Sequence, residues 1–218
     1  MNMLPAMTTR LLLTLSLCGP TLASAEDWQL AANEDNIQVY LSNVPGTHYQ
    51  RFRGIALIKA SVATLTDLQE NLRVACKWLY ACADMRLLKV EGDNTWVYIT
   101  TALPWPANPR DIVLKVHTER TDDGAVIRHL SAVPGMVPGV PGQTRVRQLS
   151  GIWKMVPKRD NETEVTYQLQ ADPAGDIPSW LANQFVIDAP MITLKTLRAV
   201  AERQGIRPAS TDSGEAHD

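Results

Sequence analysis

From Ile177 to Gly205 the chain reads IPSWLANQFVIDAPMITLKTLRAVAERQG, and this stretch limits the fold more than any other. Its apolar residues recur at helical spacing. Trp180, Ile187, Met191 and Leu194 form one stripe, with Gln184 beside it, and Leu181, Phe185, Ile192 and Leu197 widen it. An apolar arc this broad must be covered over much of the helix's circumference. Pro178 suits a first helical turn, Pro190 is expected to kink the helix near its middle, and Gly205 to stop it.

Almost everything before this helix has strand character. NIQVYLS alternates Ile37, Val39 and Leu41, and VPGTHYQ turns it into YQRFRGIALIKA, an opening hairpin. MRLLKVEG and NTWVYITTAL flank a turn at EGDN. DIVLKVHTER and AVIRHLSAV flank TDDG, whose Asp-Gly tip is a strong hairpin signal. TRVRQLSGIWKMVP and ETEVTYQLQAD complete the set, so the pattern predicts about eight strands in a meander. The exception is TLTDLQENLRVACKWL, where Leu65, Leu68, Leu72 and Ala75 predict a helix over about 64–75, capped by Thr64 or Thr66. An antiparallel sheet that must bury one face and a single long helix predict an α+β fold in which the sheet curves around the helix. Space left between them would be a natural home for an apolar ligand.

Several segments lie outside that plan. Arg10, then LLLTLSLCGPTLASA ending in Ala23-Ser24-Ala25, has the form of a signal peptide cleaved near Ala25, which places the mature protein in the periplasm or outside the cell. The tail, 208–218, is small and polar and is expected to be disordered. VPGMVPGVPGQ, from Val133 to Gln143, is read as a structured loop over the mouth of the fold, carrying Met136 and Val137. Beyond the leader two cysteines remain, Cys76 and Cys82. In an exported chain they are expected to form a disulfide, two buried thiols being the alternative.

Composition removes some functions. With 21 basic and 23 acidic residues, and a formal charge of −2, there is no basic surplus for a nucleic-acid partner. No P-loop, dinucleotide motif or G-x-S-x-G elbow occurs, and the four histidines are scattered, so no cofactor or metal is expected.

The ordered segments together resemble one family. WQLAANEDNIQVYLS, CKWLYACADMRLLKV, NTWVYITTALPWPANPRDIVL with its P-x-x-x-RD ending, TRVRQLSGIWKMVP, and ADPAGDIPSWLANQF with P-x-G-x-x-P-x-W are similar to segments of the START (StAR-related lipid-transfer) domains, in family order. The resemblance runs from about Trp28 to Gln204, within a domain drawn at 26–207, and the cysteine pair around Trp78 departs from it. It implies a helix-grip fold with a lipid or other hydrophobic ligand in an internal tunnel. The fold by itself does not exclude catalysis, but the favoured reading is a non-catalytic binding protein that transfers its ligand on transient membrane contact.

The resemblance also implies that Arg110 and Asp111 reach that tunnel as a polar pair. Neighbours in a strand point to opposite faces, so the two need not pair with each other; Arg110 is read as meeting a ligand head group or hydroxyl, and an ion pair from Arg110 to Glu91 or Asp93 is the structural alternative. Further candidate ligand contacts are Trp96 and Tyr98, which share a strand face, then Met136, Val137, Trp153, Trp180, Gln184, Ile187, Met191 and Leu194. The alternatives are an enzyme on a lipid-like or polyketide-like substrate, using His117, His129 or Asp111, and a module that binds another protein.

Overall fold

The computed structural model describes residues 27–205 except 48 and 176; the segments expected to be a leader, 1–25, and a disordered tail, 208–218, lie outside the described residues. The chain opens with β1 (Gln29–Glu34), β2 (Ile37–Asn43) and β3 (Gln50–Ile58), followed by the helices α1 (Val62–Glu70) and α2 (Leu72–Ala75). Seven strands follow: β4 (Cys82–Glu91), β5 (Asn94–Thr101), β6 (Arg110–Arg120), β7 (Val126–Ala132), β8 (Thr144–Arg145), β9 (Gln148–Pro157) and β10 (Thr163–Asp172). The last element is α3 (Ser179–Gly205). Among the described residues no helix is long and apolar enough to cross a membrane.

All ten strands join one sheet, ordered β1-β2-β3-β10-β9-β7-β6-β5-β4, with β8 attached to β6. The expected meander is real from β4 to β10. It is broken where β3 pairs with β10, Ile58 opposite Thr163 and Phe52 opposite Leu169. Two strands exceed the expected eight. In β1 the residues are nearly all exposed, so QLAANE carries no apolar alternation to read, and β8 is only two residues long.

The predicted single helix over 64–75 is two helices. Ser61, extended at φ −70° and ψ 157°, accepts a hydrogen bond from the Thr64 amide at 3.1 Å and starts α1 earlier than Thr64 or Thr66 would. Asn71, at ψ 86°, stops it, and the Asn71 side chain then caps α2 by accepting from the Arg73 amide at 3.2 Å.

Sheet and helix α3 meet unevenly. Toward its C-terminal end, Leu194, Leu197 and Ala201 are fully buried with Ile37, Val39, Ile58, Leu65, Met155 and Val165. Gly54 makes this approach close. A Cβ there would lie 2.7 Å from Leu194 Cδ1 and 2.9 Å from Pro190 Cβ, so the glycine is where the helix sits down on β3. Polar contacts hold the rim: Lys195 reaches Glu34 at 2.9 Å and Asp35 at 2.8 Å, and Arg198 donates to the Asp35 carbonyl at 2.7 Å. The N-terminal half of α3 has no such packed floor beneath it.

Candidate ligand-binding cavity

That missing floor is a cavity of about 800 Å³ between the N-terminal half of α3 and the inner face of the sheet. Register explains which side chains reach it. Along β5 and β6 the cross-strand pairs Thr95–Val116, Val97–Leu114, Ile99–Ile112 and Thr101–Arg110 belong to one face, and all eight residues line the space. These are mostly modest aliphatic side chains, and their size leaves the room.

The deepest wall is aromatic. Trp153 of β9 and Tyr167 of β10 are register partners whose rings stack at 3.9 Å with planes 7° apart. Phe52 meets Tyr167 edge-on at 5.1 Å, and Trp78 meets Trp153 edge-on at 5.9 Å. Complete burial pushes the Tyr167 phenol well above its usual range, so it stays neutral. On the helix side the lining runs through Ala182, Phe185, Val186, Ala189 and Thr193. Thr193 Oγ1 accepts from the Tyr80 amide at 3.1 Å, tying α3 to the segment after α2. A disulfide between Cys76 and Cys82, Cα atoms 4.8 Å apart, closes that segment.

Arg110 and Asp111 do point to opposite faces. Arg110 is buried at one end of the cavity, where it donates to the backbone carbonyls of Pro173 at 3.2 Å, Ala174 at 2.9 Å and Asn108. Burial lowers its pKa. Neither Glu91 nor Asp93 is the partner of Arg110, whose guanidinium is taken up by those carbonyls. Asp111 lies on the outer face, fully buried. Its Oδ2 accepts from Arg145 Nη2 at 2.6 Å, Arg145 Nε at 3.0 Å and the Tyr98 hydroxyl at 3.0 Å. Its hydrogen bonds to Asp111 hold Arg145 above its ordinary pKa.

The 133–143 loop is also on the outer face rather than at the mouth of the cavity. The Val133 amide donates to the Val113 carbonyl at 2.8 Å, and Arg145 donates to the carbonyls of Pro134, Val137 and Pro138 at 2.6–3.0 Å. A buried cation organises the loop, and Met136 is left exposed. Neither Met136 nor Val137 lines the cavity.

Trp96 and Tyr98 follow the same logic. They share the outer face of β5, with Trp96 between the ammonium groups of Lys89 and Lys115, 5.1 and 5.4 Å from its ring, and Tyr98 beside Asp111. On α3 the stripe facing the cavity is rotated by about one residue from the expected one. Trp180 and Gln184 are exposed, Ile187 is half-buried off the cavity wall, and Met191 and Leu194 are buried off it, Leu194 against Gly54. Arg110 and Trp153 are the two expected contacts that line the space.

Sequence reasoning passed over Arg128 and Gln69, which line it too. The signal was present: Arg128 alternates with Val126 and Leu130 on the apolar face of β7. His117 and His129 are register partners with rings 6.3 Å apart, but both are exposed and His129 lies 3.5 Å from Glu119. Together with Asp111, they stand off the cavity wall, away from any substrate held in it.

The sequence model of the START domain matches residues 18–206. The chain belongs to the START domain family. An uncharacterized protein of Pseudomonas aeruginosa is 54% identical over 182 residues, covering 84% of this chain and 90% of that one. The crystal structure of a STAR-related lipid transfer protein from Xanthomonas axonopodis superposes with a TM-score of 0.75 at 36% identity, over 80% of this START domain chain and 98% of the other. Human StAR-related lipid transfer protein 5 shares the fold at 17% identity, with a TM-score of 0.72 over 82% and 88% of the two chains.

Proposed function

We propose that this START domain encloses one lipid, or a similar hydrophobic molecule, between its sheet and α3, and that it carries the molecule between membranes rather than altering it chemically. The observation that carries the reading is the 800 Å³ space with its aliphatic and aromatic walls, a size within the range of small-molecule sites. Removing a ligand's apolar surface from water there contributes about 25 cal/mol per Å². The lipid-transfer name of the Xanthomonas relative supports the same assignment.

Access belongs at the Arg110 end. There the β5–β6 connection and the first turn of α3 carry two highly exposed tryptophans, Trp105 and Trp180, and Arg110 links the β5–β6 and β10–α3 connections through the carbonyls of Asn108, Pro173 and Ala174. Tryptophan suits the membrane–water boundary. Membrane contact through these two rings would draw the connections apart and open the cavity. The signal-peptide-like sequence of residues 1–25 and the disulfide support a periplasmic or secreted location.

The test is native mass spectrometry with lipid extraction on protein purified from the periplasm. A one-to-one complex with a lipid is expected. A protein that is empty on isolation and takes up no phospholipid, fatty acid or sterol refutes the proposal.

A further inference from the structure

At the far end of the cavity from Arg110, the wall contains a buried cation whose hydrogen-bonding capacity is not used up. Arg128 stands in a single cross-sheet row, between Thr118 of β6 and Trp153 of β9, and faces the cavity at 7% exposure. Its Nη1 donates to Oε1 of Gln69, the buried glutamine near the end of α1, at 3.2 Å. Arg128 Nε and Gln69 Nε2 are both buried and have no hydrogen-bond partner among the described residues. Among those residues no carboxylate lies within salt-bridge distance of Arg128: Glu70 is half-exposed and 3.9 Å from Arg120. Asp93 and Arg73 complete the charged groups at this end, giving three guanidinium groups to two carboxylates.

We propose that this end is a headgroup subsite, and that the ligand is an amphiphile with an anionic carboxylate or phosphate head, its tail lying along the Trp153–Tyr167 wall toward Arg110. The inference rests on the lipid-binding reading and adds the ligand's class and direction. Both unused groups are N–H donors, so an acceptor is wanted. A guanidinium buried without a counter-charge is costly, so a charged acceptor is favoured over a neutral one. Guanidinium pairs well with carboxylate and phosphate oxygens. Arg110 does not compete for the head, because three backbone carbonyls already occupy it. Burial lowers the Arg128 pKa, Arg120 lowers it further and Glu70 raises it, and an anion at this position would reverse the loss.

The experiment measures binding of oleate, methyl oleate and oleoyl lysophosphatidate to the delipidated wild-type protein and to Arg128→Met and Gln69→Leu. Oleate or the lysophosphatidate should bind the wild type more tightly than the ester, and whichever is tighter identifies a carboxylate or a phosphate head. Arg128→Met should weaken the preferred anion by about 30-fold or more, and change methyl oleate by less than about threefold. Equal binding of all three by the wild type overturns the subsite while leaving lipid binding intact, as does a uniform loss across all three in Arg128→Met. Binding of none of the three, with no co-purified lipid, defeats the lipid-binding reading itself. If Arg128→Met fails to fold, the comparison of the three ligands on the wild type still decides the proposal.

Discussion

Replacing Gly54 by alanine sets two effects against each other. Gly54 sits in β3 with ordinary extended geometry, so alanine fits the backbone, and restricting the unfolded chain would by itself stabilise the protein by about 0.4–1 kcal/mol. The new methyl group, however, would stand 2.7 Å from Leu194 Cδ1 and 2.9 Å from Pro190 Cβ, where carbon–carbon contacts prefer about 3.5–4.0 Å. Leu194 is fully buried and cannot swing into water, and Pro190 is a rigid ring in the middle of α3. Relief therefore requires the helix to lift from the sheet, and overpacking of this kind costs about 1–3 kcal/mol. The clash outweighs the entropy gain, leaving a net loss of about 1–2 kcal/mol and a Tm lower by roughly 2–8 °C for a domain of this size. The control is Gly135→Ala, where nothing lies within 4 Å of the added carbon. Thermal and urea melts followed by circular dichroism would compare both with the parent. A Gly54→Ala protein that melts at or above the parent temperature refutes the argument that the glycine sets the helix–sheet distance.

Other outcomes follow from the same structure. Asp111→Ala should destabilise by about 3–5 kcal/mol in urea denaturation, because Arg145 keeps its carbonyl partners but loses its counter-charge, and an Asp111→Leu/Arg145→Met pair should recover part of the loss. Ala189→Phe projects into the cavity and should lower bound ligand per protein by native mass spectrometry, with a smaller Tm change than Ala201→Phe, which enters the packed half of the helix seat. Reducing the Cys76–Cys82 bond should cost about 2 kcal/mol, read as a drop in Tm on adding dithiothreitol, and non-reducing peptide mapping should recover one linked fragment.

Local alternation carried much of this architecture. The Asp-Gly tip of TDDG, the opposed faces of Arg110 and Asp111, and the strand–helix division are periodic features of adjacent residues, and START segments such as P-x-x-x-RD placed them in a family. Four things were not legible for identifiable reasons. The pairing of β3 with β10 is a choice between distant strands of similar pattern, and nothing near Phe52 or Leu169 specifies it. The phase of α3 was ambiguous because two of its faces are apolar, one for the packed core at Leu194 and one for the cavity at Ala182, Phe185 and Ala189. The position of the 133–143 loop depends on Arg145, an unremarkable basic residue in sequence whose burial beside Asp111 draws the loop to the outer face. Trp96 and Tyr98 were expected inside because alternation divides β5 into two faces without saying which is inner, and the inner one is that of Thr95, Val97, Ile99 and Thr101.

The seam between β3 and β10 governs when the protein can fold. Arg53 and Gln168, hydrogen-bonded at 2.9 Å across it, are 115 residues apart in the chain. During synthesis the opening hairpin has no neighbour for its inner edge until the last strand has been made. Contacts this distant slow folding, and an unpaired strand edge invites association with other chains. A nascent chain of this design depends on being kept from premature pairing until its final third arrives, and a product truncated before Thr163 would expose the open edge permanently.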